Sequence, residues 1–160
     1  MAQVFLGVGS NEAPGANIKR AISALRKMCG DVELSPCYLS PALAPAVGVF
    51  ANLVIGATTL LPPEAFVQEL KKIENSCGRK PDRQTIDLDL LLYDSLILSS
   101  GLVRIPRDDI EQYAFVLKPL AVLAPAFIHP VTQRSIAEMW ESSELDDAML
   151  DEVHLEALEQ

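Results

Sequence analysis

Thr85-Ile86-Asp87-Leu88-Asp89-Leu90-Leu91-Leu92-Tyr93 sets two aspartates into an otherwise apolar run of strand length. Strand side chains alternate between faces, so Asp87 and Asp89 share one face while Leu88 and Leu90 share the other. Two carboxylates at adjacent same-face positions repel each other, and stability alone gives no reason to place them there. A hard divalent cation removes the conflict. Mg²⁺ takes oxygen ligands, and in phosphoryl-transfer sites a carboxylate pair leaves positions open for phosphate and water. The other reading is an edge strand with a solvated face, on which alternating aspartates discourage strand-to-strand aggregation.

Outward from this strand, the pattern alternates between the two secondary-structure periods. Val4 to Val8 reads as a first strand that ends in the turn Gly9-Ser10-Asn11. Ile18, Ala21, Ile22, Leu25 and Met28 recur at helical spacing, and Gly30 terminates the helix. Val32 to Tyr38 alternates as a second strand, and a loop rich in Pro and Ala runs from Leu39 to Val49. Phe50 to Thr59 is a third strand, with Phe50, Asn52 and Val54 on one face and Leu53 and Ile55 on the other. Pro62 and Pro63 open a helix whose apolar face is Phe66, Val67, Leu70 and Ile73, and Gly78 ends it. The order is βαββαβ, an α+β, ferredoxin-like arrangement, followed by loops and shorter helices. It predicts an antiparallel sheet with helices packed on one side. That order alone assigns no function, because the fold hosts many.

Composition narrows the classes. At 160 residues and 49% apolar content the chain is long enough for one well-packed domain. Its apolar runs, such as Phe50 to Leu61, are too short and interrupted to cross a bilayer, so no membrane association is expected. The first strand begins without a basic, cleavable leader, and Cys29, Cys37 and Cys77 have no paired spacing. Free thiols in a reducing cytoplasm are the expectation. The net charge of −9 is localised: residues 141–160 hold eight acids and no Lys or Arg, leaving 14 acids against 13 bases in residues 1–140. The predicted organisation is a single domain over 1–140 and an acidic tail over 141–160, read as a solvated helix or a frayed end. No basic stripe with interleaved aromatics is present, so nucleic acid is not an expected partner. His129 in a predicted turn and His154 in the tail do not form a nucleophilic constellation with any Ser or Cys.

From about Val4 to about Pro130 the chain resembles the 6-hydroxymethyl-7,8-dihydropterin pyrophosphokinase family. The marks are Gly9-Ser10-Asn11, Phe50-Ala51-Asn52, Glu74 before Gly78-Arg79, and Ile86-Asp87-Leu88-Asp89. Ile105-Pro106 and Phe115 through Pro119-Leu120, with Ala124-Pro125, follow in the same order. The resemblance implies transfer of pyrophosphate from ATP to the hydroxymethyl oxygen of a bicyclic pterin, with release of AMP, in folate biosynthesis. It implies that Asp87 and Asp89 hold two Mg²⁺ ions on the triphosphate. Phe50 and Phe115 would stack on the flat ring, Asn52 would supply a fixed donor and acceptor for its edge, and Ser40, Pro41 and Leu43 would complete the pocket. Arg79 and Arg83 would be the catalytic arginines on the phosphates, with Glu74 and Arg107 also at the nucleotide. The implied partners are a pterin and ATP, in the cytoplasm.

The departures fall on the nucleotide side. The link from Gly78 to Asp87 is shorter than in the family and carries Arg79, Lys80 and Arg83 but no tryptophan. The expected arginine three positions before the first metal aspartate is Gln84. Arg107-Asp108 stands where the family has His-Tyr, and Tyr113 stands where it has an arginine. An arginine on a transferring phosphoryl group is worth about 10³-fold or more in rate. Two alternatives therefore stay open: a pterin-binding paralogue with altered or lost kinase activity, and a ferredoxin-like binding module whose aspartates are solvated.

Overall fold

A computed structural model describes residues 1–78 and 85–159. The chain runs β1 (Ala2–Ser10), α1 (Pro14–Met28), β2 (Gly30–Leu34), β3 (Cys37–Pro41), β4 (Val49–Thr59), α2 (Pro63–Ser76) and β5 (Asp87–Tyr93). A small hairpin follows, β6 (Leu98–Ser100) with β7 (Val103–Ile105), then α3 (Asp109–Gln112), α4 (Ala114–Leu123), α5 (Ile136–Ser142) and β8 (Asp151–Val153). A 3₁₀ turn over Leu155–Glu159 ends the described chain. Among the described residues the main sheet orders its strands β5-β1-β4-β3-β8, with β2 also on β4, and every pair is antiparallel.

The single strand expected over Val32 to Tyr38 is two strands, broken at Ser35-Pro36. Pro36 has no N–H to give a ladder. The Ser35 side chain fills in: its Oγ accepts from the Val54 N–H at 2.8 Å and donates to the Pro36 carbonyl at 2.8 Å. Both halves stay paired with β4, which carries the aromatic and amide side chains discussed below.

Period-two alternation divides the sheet into two faces. Val4, Leu6 and Val8 of β1, Leu53 and Ile55 of β4, and Leu88 and Leu90 of β5 pack against Ile18, Ile22 and Leu25 of α1 and Phe66, Leu70 and Ile73 of α2. The opposite face is covered as well, contrary to the one-sided packing expected. Phe5, Val54 and Leu91 lie beneath Leu117 and Leu120 of α4 and Ile136 and Met139 of α5. Large apolar side chains on that face need a cover, and the almost wholly apolar α4 supplies it.

The acidic carboxy-terminal stretch is likewise ordered rather than frayed. β8 pairs with β3 in the register Cys37↔Val153, Tyr38↔Glu152 and Leu39↔Asp151. Val153, Leu155 and Leu158 pack against the α1–α2 core, so three apolar anchors among the acids decide its place. No helix is long and apolar enough to cross a membrane among the described residues. Cys29, Cys37 and Cys77 are free thiols.

Ending the chain after Leu150 uncovers the β3 edge and removes the Leu155 and Leu158 contacts. The lost burial and pairing are worth about 2 kcal/mol. Thermal unfolding followed by circular dichroism is expected to show Tm lower by about 4–8 °C; an unchanged Tm would mean that β8 contributes nothing to the fold.

Candidate active site

The second face of the sheet is filled at one end and hollow at the other, and the sequence of β1 explains the difference. Beyond Phe5 the same-face positions of β1 are Gly7 and Gly9. In the ladder Gly7 stands opposite Asp89 and Gly9 opposite Asp87 on β5, while on β4 Gly9 stands opposite Asn52. Bare backbone thus separates two carboxylates from an amide and an aromatic ring, leaving a trough. A Cβ at Gly9 would sit 3.2 Å from Asn52 Oδ1, closer than such contacts normally run. A Cβ at Gly7 would meet Leu91 at an ordinary 3.6 Å. The trough is a cavity of about 290 Å³ whose walls include Ser40, Pro41, Leu43, Phe50, Asn52, Asp87, Asp89 and Phe115.

Within it the amide is held in one orientation. Asn52 is buried, and its Nδ2 donates to Ser40 Oγ at 2.7 Å and weakly to the Phe50 carbonyl at 3.5 Å. That leaves Oδ1 beside Gly9 as an acceptor. Phe115 lies in the first turn of α4, and Tyr113 stacks on it with ring centroids 5.0 Å apart and planes at 14°. A slot with aromatic walls and a fixed amide at its base suits a flat heterocycle with a hydrogen-bonding edge.

A second cavity of about 210 Å³ lies on the other side of Asp89, lined by Glu74 and Arg107 together with Lys71 and Arg104. Asp89 lines both cavities. Burial raises the pKa of its carboxyl above the ordinary value; nearby Arg107 opposes the shift and Asp109 adds to it. Arg107 Nη2 is 3.3 Å from Asp109 Oδ1, while its Nε is buried with no hydrogen-bond acceptor among the described residues. Arg104 pairs with Asp108 at 3.0 Å on the surface. Glu74 is buried, and its Oε2 accepts from the Leu88 N–H at 3.1 Å, fixing α2 to β5 beside the aspartates. Among the described residues there is no cluster of three or more His, Cys, Asp or Glu side chains able to hold a metal ion. A cation here would have the two aspartates from the protein and the rest of its shell from phosphate and water. That donor set, two half-buried carboxylates on one strand face, fits Mg²⁺.

Arg79 and Arg83 lie outside the described residues. Among the described residues, Thr85 Oγ1 donates to the Cys77 carbonyl at 2.7 Å, and Ser10 Oγ donates to the Thr85 carbonyl at 2.6 Å. Gly7 taken singly, Lys71 and Arg104 enter the site without a sequence signal of their own, and Gly9, read from sequence as part of a turn, lies in β1 on the floor of the trough. The alternation Gly7-Val8-Gly9 is a visible signal, but its meaning depends on a register that only pairing reveals. Lys71 sits one helical turn before Glu74 and shares its face. Asp109 lines the first cavity. His129 is a turn-former, its Nδ1 accepting from the Val131 and Thr132 amides at 3.2 Å each. Burial pushes the Cys37 thiol up to about 11, so it is protonated at neutral pH.

Residues 5–125 match the family model described as 7,8-dihydro-6-hydroxymethylpterin-pyrophosphokinase, HPPK. A 2-amino-4-hydroxy-6-hydroxymethyldihydropteridine pyrophosphokinase of Aquifex aeolicus is 33% identical over 144 residues, covering 86% of this chain and 90% of that relative. The enzyme of that name from Pseudomonas aeruginosa is 36% identical over 131 residues, covering 77% and 81%. Among solved structures, wild-type Plasmodium falciparum HPPK-DHPS with SDX-DHP superposes with a TM-score of 0.75 at 12% identity, over 88% of this chain and 44% of that one. A Plasmodium falciparum HPPK-DHPS triple mutant with pteroate gives 0.76 at 11% identity, over 96% and 47%. These structures share the fold, and this chain spans less than half their length. Two sequence relatives of similar size and a family model over most of the chain place it in one class, and the chain belongs to the HPPK family.

The raised pKa of Asp89 has a consequence for stability. Its charge is carried at a cost in the folded state, so stability relative to a neutral isostere falls as pH rises through its folded pKa. Asp89→Asn is expected to melt above the wild type at pH 7 without metal. The gap should close at acid pH, below the ordinary aspartate value of 3.8, where both side chains are neutral. Equal or lower Tm for the variant at pH 7 would contradict the burial of that charge.

Proposed function

We propose that this protein transfers pyrophosphate from ATP to 6-hydroxymethyl-7,8-dihydropterin, releasing AMP, as a step of folate biosynthesis in the cytoplasm. The single observation that carries the mechanism is Asp89, whose carboxylate lines a ring-shaped slot on one side and a cavity with cationic walls on the other. Two-substrate transfer needs such a junction, because acceptor oxygen and phosphorus must meet there. The core order βαββαβ, with β5 and β4 flanking β1, supports a ferredoxin-like description.

The pterin ring is taken to lie against Phe50 and Phe115, its edge on Asn52 Oδ1 and the backbone near Ser40, Pro41 and Leu43. That orientation directs its hydroxymethyl arm toward Asp87 and Asp89. The triphosphate would extend from the Lys71, Arg104 and Arg107 side, with Glu74 fixing the wall and Arg79 and Arg83 reaching it from the neighbouring segment. Asp87 and Asp89 would hold Mg²⁺, which neutralises phosphate oxygens and polarises the phosphorus when bound. In the transfer the acceptor hydroxyl oxygen forms a bond to the β-phosphorus and gives up its proton to solvent, the bond from that phosphorus to the α-phosphate oxygen breaks, and AMP leaves. The chain's contribution is to orient the acceptor and keep charge fixed where the phosphates lie.

The pairing of Arg107 with Asp109 and of Arg104 with Asp108 favours a second reading, a pterin-binding relative with reduced transfer, since acids already engage these cations. Chromatographic measurement of AMP released from ATP, Mg²⁺ and 6-hydroxymethyl-7,8-dihydropterin separates the two. The kinase reading expects pterin-dependent AMP, lost by about 10³-fold or more in Asp87→Ala, which should keep its fold. Pterin binding without AMP release would select the second reading, and normal turnover of Asp87→Ala would overturn the metal assignment.

A further inference from the structure

Tyr113 stands on the wall of the ring slot at a position where the family's pattern has a cation, and its ring is not idle. It lies offset-stacked on Phe115 at 5.0 Å and 14°. Nearly parallel rings at that centroid distance touch over part of their faces, so Tyr113 occupies part of one face of Phe115 and leaves the other face to a heterocycle. The backbone of Tyr113 is equally fixed. Its N–H donates to the Asp109 carbonyl at 3.1 Å, and its carbonyl accepts from Val116 at 3.1 Å and Leu117 at 2.9 Å. Tyr113 is thus the joint between α3 and α4, with extended φ and ψ of −127° and 127°, and its ring leaves the joint in a set direction.

Phe115 is only partly buried, so core packing alone does not lock its ring. A partly exposed ring can occupy several side-chain rotamers, and a stacking platform works only in the one that faces the slot. We infer that Tyr113 is a positioning residue for the acceptor: it buttresses Phe115 through ring stacking, so that the platform is set before the flat substrate arrives. This rests on the pterin reading of the slot and adds a specificity element to it. The ring matters and the hydroxyl does not. Tyr113→Phe keeps the stack, whereas Tyr113→Leu keeps apolar volume at the joint and removes only the parallel ring.

The test is pterin affinity by fluorescence titration and affinity for a non-hydrolysable ATP analogue by calorimetry, on wild type, Tyr113→Phe and Tyr113→Leu. Tyr113→Leu is expected to weaken pterin binding about 3- to 10-fold. Its nucleotide affinity should stay the same, and Tyr113→Phe should stay within about twofold of wild type for both ligands. Unchanged pterin affinity in Tyr113→Leu would overturn the inference. So would equal weakening in Tyr113→Phe, which would assign the effect to the hydroxyl, or a parallel loss of nucleotide affinity, which would mark a general structural role. A wild type that binds no pterin would remove the functional reading and this inference with it.

Discussion

Asp87 and Asp89 sit across from bare glycine backbone, and the rest of the site follows from that constraint. Two like charges on one strand face are tolerable only where space and countercharge are available. Gly9 and Gly7 supply the space on β1, and Arg107 begins to supply the charge from beyond β5. The same missing side chains open the slot toward Phe50 and Asn52 on β4. A sheet built for stability would have filled these positions, as β1 does at Phe5, where the face closes under α4.

The two helical layers have different tasks. α1 and α2 pack on Val4, Leu6 and Val8 and make the larger core, which sets strand order and register. α4 and α5 cover only part of the other face, so the uncovered part becomes the cavity, with the start of α4 as its rim. Glu74 links the layers to the chemistry. It is buried on α2 yet accepts from the Leu88 amide between the two aspartates, which fixes their strand against the helix. The carboxy-terminal strand does comparable work at the far edge. By pairing with β3 it covers the strand that carries Ser40 and, through Ser40, orients Asn52.

Much of this was legible in the sequence, for identifiable reasons. Alternation alone puts Asp87 with Asp89 and Phe50 with Asn52, because strand period is independent of partners. It could not say that these pairs share one face of one sheet, since that depends on β1 lying between them in a particular register. Pro36 marks the break between β2 and β3, but the apolar residues on either side sustain the alternation of a single strand. The helical cover of the second face was hidden in α4, which is apolar around most of its circumference and gives little periodic signal. Charge concealed β8: eight acids beyond residue 140 outweighed the Val153, Leu155 and Leu158 anchors. The cationic wall of the second cavity was legible only at Arg107, because Lys71 and Arg104 carry no motif and meet through the fold.

On the proposed function, the aspartate pair would join the pterin slot to the nucleotide cavity through a bound cation. Isothermal titration of the intact protein tests it most directly, using a pterin and a non-hydrolysable ATP analogue, each with and without Mg²⁺. The account predicts pterin binding under both conditions and nucleotide binding only when Mg²⁺ is present. Nucleotide binding of equal strength without Mg²⁺, or none with it, would contradict the account and leave Asp87 and Asp89 without the role that their placement implies.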